Sequence, residues 1–92
     1  MYRSLGIIEV VGMVTATACI DAMVKSAYVE VTKVERVGSG FLAVIIKGDL
    51  ASVQVAIEIG AETAQSHGQL IAYRVIPRPY DGLEKMTAPE KG

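Results

Sequence analysis

The stretch Phe41-Leu42-Ala43-Val44-Ile45-Ile46 is an unbroken apolar run, entered through Gly38-Ser39-Gly40 and left through Gly48-Asp49. A half-buried strand alternates polar with apolar residues, whereas a run with no polar member fits a strand covered on both sides. A chain of 92 residues builds one core and not two. The run therefore predicts the central strand of a single sheet, within one domain spanning residues 1–86 and followed by a fraying tail over 87–92.

The neighbouring elements follow from periodicity. Arg3 to Val10 reads as a strand, with Leu5 and Ile7 on one face and Gly6, Ile8 and Val10 on the other. Gly12 ends it. Ala16, Ile20, Met23 and Ala27 then recur at helical spacing, with Thr17, Asp21 and Lys25 as the wet stripe. Tyr28 to Val37 is rich in valine and predicts a second strand, whose alternation slips between Val31 and Val34; a bulge or twist near Lys33 is expected. After the central strand, Asp49 is a candidate N-cap for a second helix. Its inward residues are Leu50, Val53, Ile57, Ala61 and Ala64, its outward ones Gln54, Glu58 and Glu62, and Gly68 is its C-terminal cap. Leu70 to Ile76 is the last strand, stiffened at its exit by Pro77-Arg78-Pro79, and one short helical turn is expected beyond Tyr80.

The order βαββαβ predicts an α+β, ferredoxin-like fold: a four-stranded antiparallel sheet with both helices on one face. Three of the four strands read as apolar on both faces, so the face without helices is expected to be covered by other copies of the chain. Composition agrees. Residues are 51% apolar but only 5% aromatic, so the core is built from small Ala, Val and Ile side chains, and a formal charge of -1 leaves little to keep monomers apart. The same charge gives no field for phosphate backbones or anionic lipid, which disfavours nucleic acid and membrane surfaces as partners.

Cys19 is the only cysteine, which rules out an internal disulfide and makes a cytosolic location the default. Glu9 interrupts the apolar N-terminal stretch where a signal peptide needs hydrocarbon, and the eleven uncharged residues from Val10 to Ile20 fall short of the about 20 that span a bilayer. One cysteine and one histidine, His67, do not make a closed zinc site within the chain, so no metal or cofactor is expected. No pair of residues has the spacing of a nucleophile with its base. Gly38-Ser39-Gly40 runs between two strands, unlike phosphate-binding loops, which run from a strand into a helix. By its residues alone it reads as a tight turn. A small-molecule-binding regulatory domain of ferredoxin-like topology is the alternative to a purely structural role.

Leu5-Gly6-Ile7-Ile8-Glu9-Val10, Asp21-Ala22-Met23-Val24-Lys25-Ser26-Ala27, Val37-Gly38-Ser39-Gly40, Lys47-Gly48-Asp49 and Val75-Ile76-Pro77-Arg78-Pro79 together resemble the hexamer-forming shell proteins of bacterial microcompartments. The likeness covers nearly the whole chain and extends to the small shell proteins of propanediol, ethanolamine and glycyl-radical enzyme compartments. It implies a cyclic homo-hexamer that tiles with its neighbours and with other shell proteins around encapsulated enzymes or their targeting peptides. It implies that Gly38, Ser39 and Gly40 line a six-fold pore for small polar metabolites, with Arg36 just behind adding positive potential. It also implies that Lys25 and Arg78 lie where hexamers meet. Tyr28 departs from the smaller polar residue usual near that edge, and would either alter the tilt between hexamers or pack over the neighbour's edge.

Overall fold

The computed structural model describes residues 3–78. The chain runs β1 (Ser4–Val11), α1 (Met13–Ser26), β2 (Glu30–Gly38), β3 (Phe41–Gly48), α2 (Leu50–His67) and β4 (Leu70–Ile76). All strand pairs are antiparallel, in the order β2-β3-β1-β4, which is the ferredoxin-like arrangement anticipated from the element order. The helical turn expected beyond Tyr80 and the tail over 87–92 lie outside the described residues.

Two strands carry the core. Burial alternates along β1, where Ser4, Gly6, Ile8 and Val10 are buried while Leu5, Ile7, Glu9 and Val11 are partly exposed. Register pairs Gly6 with Ile46, Ile8 with Val44 and Val10 with Leu42, so these six face the helices together. Against them lie Ala16, Cys19 and Met23 of α1 and Val53, Ala56, Ile57, Ala61 and Ala64 of α2. The helices meet at Gly60, where an added Cβ would sit 2.7 Å from Met23 Sδ; the Cys19 thiol donates to the Gly60 carbonyl at 3.3 Å across the same contact. With so few aromatic residues the layers are held by close backbone approach, which a methyl group at Gly60 would push apart.

Asp49 caps α2 as its sequence position suggests, accepting the Ser52 N–H at 3.0 Å and the Ser52 hydroxyl at 3.0 Å. Those two hydrogen bonds hold its carboxyl below the usual carboxylate range. Gly68 ends α2, its N–H reaching Ala64 O at 2.8 Å. Its backbone is extended, and the glycine is needed because any Cβ there would collide with the Thr15 hydroxyl.

One expectation changes. Tyr28 is not part of β2, which begins at Glu30; α1 stops at Ser26, and residues 27–29 form a corner. The reason is a backbone contact: the Tyr28 carbonyl passes so close to Gly48 that a Cβ there would lie 2.8 Å from it. The sheet face without helices carries apolar residues from three strands, β1, β3 and β4, as the sequence predicts, while β2 turns charges onto it. Register shifts between Val31 and Lys33, the expected bulge, so that Val31 and Val34 share the helix-covered face with Ile46 and Val44 while Lys33 and Glu35 oppose Ile45 and Ala43 on the open one. The open apolar strip runs over Leu5, Ile7 and Val11 of β1, Phe41, Ala43 and Ile45 of β3, and Ala72 and Ile76 of β4. It is crossed by Glu9 and Arg74 and bordered along β2 by Glu30, Lys33 and Glu35.

Candidate functional site

Gly38 pairs with Phe41, leaving Ser39 and Gly40 as the two central residues of a hairpin turn. A two-residue hairpin turn of type I′ has positive φ at both central positions, which matches the strands' right-handed twist. Ser39 has φ 23 and Gly40 φ 84, and the preceding Gly38 has φ 115. Ser39 is the one non-glycine residue at positive φ among the described residues. Asn, Asp or Gly would sit there at lower cost, so its hydroxyl is held at the tip against local backbone preference. The tip is exposed, and a Cβ at Gly38 or Gly40 would meet nothing within 4 Å. Arg36, also exposed, stands opposite Leu42 on the helix-covered side of the sheet, next to the base of the turn.

The turn is pinned from behind. Gly12, the residue between β1 and α1, donates its N–H to the Gly40 carbonyl at 2.9 Å. This contact joins segments distant in sequence and was not visible in the pattern of side chains.

Lys25, Tyr28 and Arg78 belong to the opposite end of the strands. Lys25 lies in the last turn of α1, where a cation favours the helix dipole, and pairs with Asp21 at 3.2 Å. Tyr28 is 91% exposed in the corner that follows. The backbone contact between Tyr28 and Gly48 brings that corner to the end of β3; Gly48 pairs with Ser4, and the Arg78 N–H donates to the buried Ser4 hydroxyl at 2.9 Å. From Phe41 to Gly48 is roughly 23 Å, at about 3.3 Å per residue. The four residues Gly38, Ser39, Gly40 and Arg36 therefore gather at one end of the domain, and Lys25, Tyr28 and Arg78 at the other.

The remaining chemistry-bearing residues have structural surroundings. Cys19 is fully buried, and burial pushes its thiol above the ordinary range, away from the reactive thiolate. His67 contacts the Thr63 carbonyl through Nδ1 at 3.0 Å, as expected of a histidine closing a helix. Among the described residues no three of His, Cys, Asp and Glu come together as metal ligands, and no helix is long and apolar enough to cross a membrane. A depression of about 280 Å³ on the open sheet face is lined by Ile7, Glu9, Ala72, Tyr73 and Arg74. Alternation along β1 and β4 carried no hint of it, because it forms only once the two strands are in register.

Residues 4–79 match the family model described as the BMC domain. The chain belongs to the BMC domain family. Among curated BMC relatives, the bacterial microcompartment shell protein PduA of Citrobacter freundii is 42% identical over 84 residues, covering 91% of this chain and 90% of that protein. The shell protein EutM of Escherichia coli is 40% identical, covering 91% of this chain and 87% of its own. PduK of Salmonella typhimurium is 44% identical, and there the match spans 51% of the longer relative. A solved microcompartments protein from Desulfitobacterium hafniense superposes with a TM-score of 0.75 at 31% identity, covering 92% of this chain and 48% of that one. The chain is thus a bacterial microcompartment shell protein of BMC fold, and its role is structural.

Proposed function

We propose that this shell protein closes into a six-membered ring, that rings tile edge to edge around encapsulated enzymes, and that the Ser39 turn lines a pore on the ring axis. The observation that carries the reading is the division of the molecule into two ends. A strained, exposed serine turn occupies one end, while a lysine, a bare aromatic ring and an arginine occupy the other. A wedge-shaped subunit in a ring has one end at the axis and one at the rim, and the same separation is what a perforated tile requires.

Between the ends, the apolar strip bordered by charges has the layout of a protein interface, a desolvated centre within a polar rim. Met13 and Val14 add exposed apolar surface near the turn, at 56% and 79% exposure, which neighbouring subunits would cover. Six copies of Ser39 would present hydroxyls to the axis. These replace part of the hydration of small hydroxylated or carbonyl solutes, while the turn's width limits their size. Arg36 adds positive potential behind the ring of serines. At the rim, Lys25 reaches across to the neighbouring ring with its stem as well as its charge, Arg78 is fixed by its backbone to Ser4, and Tyr28 packs over the neighbour's edge. Other shell proteins share these edges, and the protein has no enzymatic activity of its own.

Native mass spectrometry tests the ring, and electron microscopy of concentrated protein tests the tiling. A six-chain particle that grows into sheets is expected; a particle that stays monomeric or dimeric at high concentration refutes the proposal.

A further inference from the structure

We propose that Gly12 is the positioning residue that sets the pore, acting as a clamp between the first helix and the Ser39 turn. The inference rests on the pore reading above and adds what holds the aperture in place. A two-residue hairpin tip that protrudes beyond its last strand pair has no lateral support of its own, and the Ser39 turn is exposed on all three residues. Among the described residues, the one backbone hydrogen bond that reaches the tip from another element is Gly12 N–H to Gly40 C=O, at 2.9 Å.

Gly12 is placed to bear that load. Its carbonyl accepts the Ala16 N–H at 3.1 Å, the first bond of α1, and the adjacent Val11 N–H donates to Gln69 O at 3.0 Å in the connection between α2 and β4. Residues 11 and 12 therefore tie the turn to α1 and to the start of β4. The whole layered core, not the hairpin alone, holds the tip still.

The geometry needs glycine for a conformational and not a steric reason. Gly12 has φ 88 and ψ 151, a region almost closed to L-residues, yet a Cβ there would meet nothing within 4 Å. Substitution by L-alanine thus strains the backbone without a clash. The strain is relieved by rotating φ to negative values, which swings the N–H away from Gly40. D-alanine accepts positive φ and leaves the donor where it is. An amide-to-ester exchange at position 12 removes the donor with almost no change of shape.

Conductance of rings in a planar film, with poly(ethylene glycols) of graded size as blockers, reads the aperture; native mass reads the ring. The expected result for Gly12→Ala and for the ester is an unchanged six-chain mass with a shifted polymer cut-off and a broader spread of conductance, while the D-alanine variant behaves as the parent. Parent-like cut-off and conductance in the ester variant would overturn the clamp, as would L- and D-alanine variants that behave alike. Should Gly12→Ala fail to assemble, the ester and D-alanine variants still decide the matter. Ser39→Leu serves as the control: if it leaves conductance untouched, the pore reading itself falls, whereas a response to Ser39→Leu with none to the ester removes the clamp alone.

Discussion

Ser39→Gly separates the demands of folding from those of the pore. Ser39 sits at φ 23, where an L-side chain costs about 1–2 kcal/mol relative to the right-handed region. Glycine carries no such cost, but its freer unfolded chain takes back about 0.5–1 kcal/mol. With no cap or ladder bond found for the Ser39 hydroxyl among the described residues, little else is lost, and the net gain lies between about 0 and 1.5 kcal/mol per chain, centred on about 0.75. For a domain of this size that is a rise of roughly 3–6 °C in Tm, measured at one fixed protein concentration because ring assembly also raises Tm. Ser39→Asn, whose side chain tolerates positive φ, is expected to move Tm the same way by less. Both variants should change permeation of small polar solutes while raising stability. A fall in Tm for Ser39→Gly would refute the reasoning, since it would mean that the hydroxyl makes a stabilising contact across the ring and is kept for assembly.

Lys25→Ala should leave the ring mass unchanged and stop the growth of sheets in electron micrographs; the lost Asp21 pair is exposed and contributes only about 0.3–0.5 kcal/mol to the subunit, too little to unfold it. Asp49 is held ionised by its Ser52 hydrogen bonds, so its folded-state pKa lies below its unfolded one. The stability it adds is present above about pH 4 and is lost as pH falls through the folded value; Asp49→Asn should flatten this part of the acid-denaturation profile, and an unchanged profile would exclude the cap as its source. Gly60→Ala gains up to about 1 kcal/mol of helix propensity but overpacks Met23 and Ile8 at a cost of about 1–3 kcal/mol, so a net loss in chemical denaturation is expected. A more stable Gly60→Ala variant would show that Met23 moves aside freely.

What could be read from the residues was whatever side-chain pattern alone decides. The apolar run over Phe41–Ile46 marked the central strand because nothing but burial on both faces explains it, and Asp49 marked a helix start because its carboxylate has orphan N–H groups to accept from. Pattern alone assigns Tyr28 to the second strand because tyrosine and valine favour strands, whereas the close pass of its carbonyl over Gly48 turns the chain there. The bulge near Lys33 was visible as a slipped alternation, but its consequence, charges on the open face, needed the register. The turn and edge residues were ordinary by pattern, and only likeness to shell proteins singled them out. The bond from Gly12 to Gly40 left no trace in the sequence, since backbone groups of distant residues carry no side-chain signature.

The placement of tight packing predicts that substitutions at either end leave the fold intact. Gly6 and Gly60 lie where an added Cβ would come within 3.0 Å of core side chains, so the middle of the domain has no slack. At the turn the same addition meets open space, and at the rim Tyr28 and Lys25 project from the surface. Changes at either end therefore act through local contacts and leave the core's packing alone, and effects of substitutions at the two ends should add within about 0.5 kcal/mol at such a separation. The exception is Gly12: it belongs to the turn by its N–H and to the helix by its carbonyl, so a change there couples the rigid middle to the tip.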